Sequence, residues 1–258
     1  TVTVLDDVRQ FLKKKVGLDV DGVRDEQLER RIANYCRRHR VAEGDLIGTL
    51  SDEATLDVFL DSLTINVTSL FRNAERWKKI EEILSELGPR PELWSAACSK
   101  GAEPYTMAIL ADRLKIKPSI WATDIDTRIL AAAVEGVYTP QEVKEVPRDV
   151  LKQYLNEVDG NFHVDRKVAS MVKFDRQDLL SGPMPRKKFD LIACRNVAIY
   201  FSQDAKRLLH SNLAGCLKPG GYLFIGSTER VDNPGDLGLD TVSPFIYQMV
   251  SEPVGSKS

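Results

Sequence analysis

A run of small and polar residues between two apolar segments carries the clearest chemical signal in the chain. Residues 92–110 read ELWSAACSKGAEPYTMAIL, so a β-prone run enters a turn that includes Ala97, and a helix begins after Gly101. A second apolar run, WATDID at 121–126, reaches an acid at Asp124. In a βαβ unit, the acid after the second strand can bind the ribose hydroxyls of a nucleoside. This layout predicts a nucleoside site.

The turn contains one glycine, Gly101, where a dinucleotide-binding loop carries three. Those glycines let the backbone approach a pyrophosphate closely, and this chain lacks them. The turn therefore favours a cofactor with adenosine but no pyrophosphate over NAD or FAD. S-adenosylmethionine is the common molecule of that description.

Polar residues also stand at two other predicted junctions. The segment TINVTSLFR (64–72) places Asn66, Thr68 and Arg72 among apolar neighbours, between a helical region and a sheet. Because clefts form where domains meet, this segment is a candidate roof for the nucleoside pocket. The alternative is a helix start with Thr64 or Asn66 as its N-cap.

Two more polar segments follow predicted strands. RNVAIYF (195–201) comes directly after FDLIAC, and ligands of open α/β sheets bind beyond the carboxyl ends of the strands, so Arg195, Asn196 and Tyr200 are expected in the cleft. The alternative roles are a surface arginine and an aromatic packed on the sheet. In FDRQDLL (174–180), Asp178 either accepts from an adenine amino group or caps the next helix.

The hydrophobic pattern divides the chain into two domains. Helical spacing in the first ~75 residues predicts helices at 4–16 and 24–40, and alternating strands and helices after Glu75 predict a parallel sheet covered on both faces. We therefore predict a helical domain at 1–74 and an α/β domain at 75–258, with an antiparallel insertion at about 139–173, where VDRKVASMVKF alternates like a hairpin. The candidate strands are 93–97, 120–123, 172–174, 189–194, 222–227 and one near 244–250.

One helix has a basic surface. Within 24–40, Leu28, Ile32 and Tyr35 are expected to face inward. The opposite side is either a solvated surface or a docking face for an acidic partner. Its arginines are Arg24, Arg30, Arg31, Arg37, Arg38 and Arg40, of which Arg24, Arg31 and Arg38 are seven apart and share a face.

Composition narrows the function classes. The 258 residues include 36 Lys+Arg and 38 Asp+Glu, so no overall field favours nucleic acid or a membrane surface. Scattered cysteines and only 3 His give no spacing for a metal site. No apolar run approaches the roughly 18 residues of a membrane span, and no heptad seam demands a dimer. We expect a cytoplasmic monomer without a metal.

Five segments in this order resemble the CheR family, the chemotaxis receptor glutamate O-methyltransferases. They are TINVTSLFR, SAACSKGAEPY, ATDID, RNVAIYF and LKPGGYLFIGSTE. The resemblance implies a class I S-adenosylmethionine-dependent methyltransferase: a Rossmann-like, mostly parallel seven-stranded sheet with an all-α N-terminal domain and a small antiparallel β-subdomain. It also implies methyl transfer from S-adenosylmethionine to glutamate side chains of chemoreceptor cytoplasmic domains, with S-adenosylhomocysteine as product.

The resemblance also assigns roles to residues of this chain. Asn66, Thr68 and Arg72 would contact the cofactor from the roof, Ala97 would bind the cofactor from the turn, and Glu103 would hold the methionyl ammonium. Asp124 would bind the ribose, Asp178 and Leu179 the adenine region, and Arg195 and Asn196 the methionine end. Tyr200 would stand beside the methyl group and Arg72 would orient the acceptor. The receptor-docking residues would be Arg30, Arg31, Arg37 and Arg38, since receptor methylation helices are acidic.

The chain departs from the family pattern at two positions. The family usually has G-E-E-P-Y, whereas Ala102 replaces the first acid here and lowers the local negative charge. Lys100 stands where a small hydroxyl residue is common, and near a cationic cofactor it is expected to point outward. Two alternatives to receptor methylation remain: an enzyme with another acceptor, and a signalling module that binds the cofactor or a receptor without turnover.

Overall fold

The computed structural model describes residues 3–15, 20, 25–52, 55–56, 59, 63, 68–198, 201–226 and 229–251. The chain divides into two compact units. The helical unit is Thr1–Asn66 with Ala198–Lys206, and the sheet unit is Val67–Val197 with Arg207–Ser258. The predicted division after residue 74 placed 67–74 with the helices, whereas the structure places this segment with the sheet. Asn66 and Tyr200 lie outside the described residues.

The helical unit is built from amphipathic helices: α1 Val4–Lys15, α2 Asp25–His39 and, after a 3₁₀ turn at Glu43–Asp45, α3 Leu46–Thr49. Both α1 and α2 carry acids in the first turn and bases in the last, which complements the helix dipole. The predicted inward residues Leu28, Ile32 and Tyr35 are buried in one core with Val8 and Leu12 of α1. Helical spacing in the sequence was therefore a sufficient guide to these two helices.

The sheet unit alternates helices and strands. In chain order the elements are α4 Ala74–Glu86, β1 Glu92–Ala96, α5 Ala102–Arg113, β2 Ser119–Asp124, α6 Thr127–Glu135, β3 Val137–Tyr138, α7 Arg148–Tyr154, β4 Leu155–Val158, β5 Asn161–Val164, α8 Arg166–Ala169, β6 Val172–Arg176, β7 Phe189–Cys194, α9 Gln203–Ala214, β8 Leu217–Ile225, a 3₁₀ turn at Pro234–Leu237, β9 Leu239–Ser243 and β10 Ile246–Met249. Within the described ranges, no helix combines the length and apolar composition that a membrane crossing needs.

Seven strands form the main sheet in the order β6-β2-β1-β7-β8-β10-β9. The five strands from β6 to β8 are parallel to their neighbours, and β10 is antiparallel to both β8 and β9. This confirms the predicted, mostly parallel seven-stranded sheet. From β1 the chain crosses to β2 on one side, and from β7 it crosses to β8 on the other side. The direction of strand order therefore reverses at the boundary between β1 and β7, which is the switch point of the sheet. In open α/β sheets a ligand crevice lies at such a point, beyond the carboxyl ends of the strands.

The insertion is antiparallel, as predicted, but its strands lie elsewhere. A three-stranded sheet has the order β3-β5-β4. The predicted hairpin within 164–174 is wrong, because that segment contains α8 and then β6, which pairs parallel with β2 in the main sheet. Asp165 caps α8 by accepting from the amide of Lys167. The alternation of apolar and polar residues predicted a strand here, but an N-cap followed by a single helical turn occupies part of the segment.

Strand β9 was not predicted. Its sequence LDTVS buries only Leu239 fully, and the three residues that follow are exposed. Such an edge strand lacks the regular apolar alternation by which strands are recognised.

Helix α5 is the most completely buried helix of the described part of the sheet unit. Of its residues, only Glu103, Asp112 and Arg113 are not fully buried. The Tyr105 hydroxyl donates to the carbonyl of Ala133 at 2.7 Å and ties α5 to α6. A helix surrounded by packed side chains has little freedom to move, so its first turn is a rigid support for Glu103.

Candidate cofactor site

The β1–α5 turn is held in an uncommon backbone conformation. Ala97 and Ser99 have φ values of 60° and 51°, and Gly101 has 82°. Only glycine adopts this left-handed region without cost, which is about 1–2 kcal/mol for other residues. A Cβ at Gly101 would also lie 3.1 Å from the Phe174 ring, so glycine is required by both space and φ. Local strain of this kind is often found where a backbone is shaped to receive a ligand.

The end of β2 holds this turn in place. The amide of Cys98 donates to the carbonyl of Thr123 at 2.8 Å, and the amide of Ser99 donates to Asp124 Oδ2 at 2.9 Å. The amide of Asp126 donates to Asp124 Oδ1 at 3.1 Å. The structure thus brings Asp124 to the β1–α5 turn, where the sequence pattern predicts the ribose-binding acid.

Burial raises the pKa of Asp124, while the amides of Asp126 and Ser99 partly offset this by stabilising the ionised form. Each carboxylate oxygen can accept a second hydrogen bond. Asp124 therefore keeps some acceptor capacity beyond its backbone contacts, which suits a hydroxyl-bearing ligand.

A buried acid and a buried arginine face each other across the β1/β7 boundary. Glu103 Oε1 accepts from the Ser95 hydroxyl at 2.7 Å, and Glu103 Oε2 lies 3.7 Å from Arg195 Nη1. The two side chains are 12% and 6% exposed, respectively. Burial raises the pKa of Glu103, and the Arg195 charge and the Ser95 hydrogen bond oppose that shift. The structure brings these two predicted site residues together.

Arg195 is fixed on several sides. Its Nη2 donates to the carbonyl of Arg72 at 3.1 Å and to Asn73 Oδ1 at 2.9 Å. Its guanidinium carbon lies 4.7 Å from the centre of the Phe224 ring and 5.4 Å from that of Trp77. Burial lowers the pKa of Arg195, whereas the Glu103 charge raises it. The alternative of a surface arginine is therefore wrong.

The segment 68–73 is pinned through its backbone. The amide of Phe71 donates to Thr106 Oγ1 of α5 at 3.1 Å, and the amide of Leu70 donates to the carbonyl of Glu142 at 3.0 Å. The carbonyl of Arg72 also accepts from Trp77 Nε1 at 3.1 Å. Thr68 and Arg72 are half-buried in this segment. The main chain of this segment is therefore anchored to α5, to Glu142 and to Trp77.

Glu229 is a buried acid at the carboxyl edge of the sheet that was not among the predicted site residues. Its Oε2 accepts from the amides of Asn196 at 2.8 Å and Gly226 at 2.6 Å, just beyond β7 and β8. Asn196, with a φ of 62°, is thereby held in the left-handed region. The available signal was an acid in the GSTE that follows an apolar strand. Ser95 was also missed, although a polar residue in a fully buried strand is itself a signal.

Asp178 acts as a turn cap. Its Oδ1 accepts from the amides of Leu180 at 2.9 Å and Ser181 at 3.1 Å. The predicted alternative, a cap on the next helix, is wrong in detail because 178–188 contains turns and no helix. Leu179 is buried, and its carbonyl accepts from Asn212 Nδ2 at 2.9 Å. Contacts of Asp178 and Leu179 with adenine stay a prediction.

Lys100 is paired within the sheet unit. Its Nζ lies 2.7 Å from Glu142 Oε1 and 5.6 Å from the centre of the Tyr138 ring. Burial favours the neutral form of Glu142, but the Lys100 and Thr139 hydrogen bonds outweigh it and lower the pKa of Glu142 below its ordinary value. The positive charge of Lys100 in the β1–α5 turn is thus compensated by an ionised partner.

This pair supports a prediction. Glu142→Gln should weaken cofactor binding about threefold, because it leaves an uncompensated cation in the turn that receives a cationic ligand. The double variant Lys100→Met/Glu142→Gln should restore wild-type affinity. Calorimetric titration with S-adenosylmethionine at low salt measures both. Equal weakening in the single and double variants would show that the Lys100 charge is irrelevant.

In the helical unit, the basic surface of α2 is smaller than predicted. Arg30, Arg37 and Arg38 are exposed, but Arg31 is only 9% exposed. Arg31 is therefore withdrawn from the docking surface. The physical reason is its position: Leu28 and Tyr35 lie three residues before and four after it, so it sits on the inward side of the helix.

Comparison with known proteins places the chain in a family. Residues 66–240 match the family described as "CheR methyltransferase, SAM binding domain". The chain is 35% identical over 247 residues to the chemotaxis protein methyltransferase of Listeria monocytogenes, covering 92% of this chain and 94% of the relative.

Other relatives give the same result. Chemotaxis protein methyltransferase 1 of Pseudomonas aeruginosa is 31% identical over 261 residues, covering 94% of this chain and 92% of the relative. The chemotaxis protein methyltransferase of Escherichia coli is 36% identical over 184 residues, covering 67% of this chain and 63% of the relative. With this coverage, and with a parallel sheet whose carboxyl edge carries the expected acids and arginine, the chain belongs to the CheR methyltransferase family.

Proposed function

We propose that this protein transfers the methyl group of S-adenosylmethionine to glutamate side chains on the cytoplasmic domains of chemoreceptors. The products are a glutamate methyl ester and S-adenosylhomocysteine. One observation supports this most directly: in a chain of the CheR family, Glu103, Arg195 and Asp124 converge at the carboxyl edge around the β1/β7 switch point.

The side chains present fit this cofactor. Asp124 offers acceptors for hydroxyl groups, and Glu103 offers a carboxylate for an ammonium group. Arg195 Nε is buried and, within the described residues, has no hydrogen-bond partner, which leaves a donor for a carboxylate. A buried polar atom without a partner is costly, so a ligand that satisfies it gains affinity.

The acceptor needs no general base. A glutamate side chain has a pKa of about 4.3 in model peptides and is ionised at neutral pH. When bound, S-adenosylmethionine supplies a methyl group made electrophilic by its sulfonium. The protein must place the carboxylate oxygen in line with that methyl group and exclude water. Since opposite charges are neutralised as the bond forms, removing water from both favours the reaction.

Arg72 and Tyr200 are proposed to do the positioning. By the family resemblance, Arg72 would orient the incoming carboxylate and, with Asn66 and Thr68, would contact the cofactor. Tyr200 would act beside the methyl group; Asn66 and Tyr200 lie outside the described residues. An arginine that bound the carboxylate too tightly would stabilise the reactant more than the transition state, so its role is orientation rather than tight binding.

The receptor is proposed to dock on α2 through Arg30, Arg37 and Arg38. These exposed cations would complement acidic receptor helices and steer the encounter. We propose that the protein acts in the cytoplasm, on the side of the membrane where these receptor domains lie, and that it acts as a monomer.

The docking proposal yields a prediction. Arg37→Gln/Arg38→Gln should lower kcat/KM for receptor methylation about tenfold at low salt, and the difference should shrink at 1 M salt, where the screening length falls to about 3 Å. The matched control is Lys14→Gln/Lys15→Gln, which removes the same charge from the last turn of α1. Initial rates with a receptor fragment measure the effect. Equal losses in the two variants would argue against specific docking on α2.

The function itself is tested by incubating the protein with labelled S-adenosylmethionine and receptor cytoplasmic fragments, followed by base treatment. Release of labelled methanol demonstrates a methyl ester. Transfer only to small acids or other proteins would identify a different acceptor. Calorimetric binding of the cofactor without ester formation would instead identify a non-catalytic module.

A further inference from the structure

The carboxylate of Glu229 joins the ends of two neighbouring strands. Its Oε2 accepts from the amides of Asn196 and Gly226, which follow β7 and β8. The approach is close enough that a Cβ at Gly226 would lie 2.8 Å from the amide nitrogen of Asn196. Glu229 is 7% exposed, so this acid is built into the carboxyl edge of the sheet.

The other oxygen of Glu229 is not explained by the fold. Oε1 is buried and has no hydrogen-bond partner within the described part of the chain. Arg195 Nε, on the residue next to Asn196, is likewise buried without a partner. An unsatisfied acceptor and an unsatisfied donor at one edge of the sheet match the two charged groups of an α-amino acid, an ammonium and a carboxylate.

Glu103 by itself does not complete the recognition of an ammonium group. One of its oxygens accepts from the Ser95 hydroxyl, and the other faces Arg195. An ammonium has three N–H donors, whereas these contacts leave Glu103 only part of its acceptor capacity. The acids whose charges act on Arg195 are Glu103, Glu229 and Glu145, and Arg72 is a second cation, so three negative charges stand against two positive ones. This excess suits a cationic ligand.

We propose that Glu229 is a second acidic ligand of the methionyl ammonium group, with Oε2 fixing the strand ends and Oε1 accepting from the ligand. This inference rests on the proposed function, because it assumes that the site binds S-adenosylmethionine.

The test compares ligands that differ at the amino-acid end. S-adenosylhomocysteine carries the ammonium, whereas 5′-methylthioadenosine has the adenosine and thioether but no amino-acid group. Glu229→Gln keeps an oxygen for the two amides and replaces Oε1 with an NH₂ group. Calorimetric titration should show at least about a tenfold loss of affinity for S-adenosylhomocysteine, equivalent to one charge-assisted hydrogen bond, and no change for methylthioadenosine.

The matched control is Asp190→Asn. Asp190 also accepts from a backbone amide, that of Glu92, but lies near the amino end of β7. This variant should bind both ligands like the wild type. Unchanged affinity of Glu229→Gln for S-adenosylhomocysteine would overturn the proposal, as would an equal loss for both ligands.

A structure of the wild-type protein with S-adenosylhomocysteine gives a second readout if Glu229→Gln does not fold. The amino nitrogen should lie within about 3.2 Å of Glu229 Oε1. A water or protein atom in that position would overturn the inference. If the wild type forms receptor methyl esters but Glu229 does not contact the ligand, only this inference fails. If the wild type does not bind S-adenosylhomocysteine, both this inference and the proposed function fail.

Discussion

Arg72→Ala is expected to lower kcat for receptor methylation about 100-fold while changing the cofactor Kd less than about threefold. The carbonyl of Arg72, not its side chain, accepts from Arg195 and Trp77, so alanine keeps these contacts. The substitution therefore removes the guanidinium while keeping these main-chain anchors of segment 68–73. A group that orients the acceptor affects turnover more than cofactor binding.

The measurements are kcat with a receptor fragment and the Kd of S-adenosylmethionine by calorimetry. Arg76→Ala is the matched control, because it also removes a guanidinium. The Arg76 guanidinium packs over the Phe245 ring, with 4.9 Å between its carbon and the ring centre. This control should retain turnover. Equal losses of turnover and cofactor affinity in Arg72→Ala would contradict an orienting role.

Glu103→Gln is expected to weaken S-adenosylmethionine binding about 100-fold, because it removes a buried charge that faces the ammonium group. Glutamine can still accept from the Ser95 hydroxyl, but it leaves Arg195 without its buried counter-charge. Because burial makes the fold disfavour the ionised form of Glu103, the neutral amide should not lower the midpoint of thermal unfolding of the free protein. Affinity is measured by calorimetry below the unfolding transition. Asp112→Asn, on the same helix, should bind like the wild type, and an equal loss there would refute the assignment.

The pH dependence of binding tests the same residue. Burial raises the pKa of Glu103 above its ordinary 4.5, so the folded protein binds this proton more tightly than the unfolded chain does. This carboxyl therefore makes the free protein more stable as the pH falls through the raised value. A cationic ligand requires the ionised form, so binding should weaken over the same range and release a proton. Calorimetry in buffers of different ionisation enthalpy detects that release, which Glu103→Gln should lack.

Local pattern was a good guide to the buried strands. Strands β1, β2 and β7 are covered on both faces and therefore appear in the sequence as short apolar runs between turn residues. The hydrophobic pattern failed to identify elements that are buried on one side only, or whose apolar spacing fits both a helix and a strand. The exposed edge strand β9 was missed, and the single turn of α8 was read as part of a hairpin.

Patterns in the amino-acid sequence by themselves determined the parallel α/β fold class, the β1–turn–α5 unit and the identity of Asp124 and Arg195 as candidate site residues. These follow from periodicity, from small residues in a turn and from polar residues at strand ends, all of which are local properties. Glu103 was identified only through the resemblance to the CheR family. The burial of Arg31 was not predicted, although Leu28 three positions before it and Tyr35 four positions after it are buried on the same side of α2.

Only the tertiary structure decided the pairings. Arg195 donates to the carbonyl of Arg72, which lies 123 positions away, and Glu229 accepts from Asn196, which lies 33 positions away. Such contacts depend on which strands are neighbours and in what register, and no local pattern encodes that. That Glu229 Oε1 has no hydrogen-bond partner among the described residues is visible only in three dimensions. The order of the strands therefore brings acids and arginines that are distant in the sequence together at the carboxyl edge of the sheet. Residue type alone could not show this.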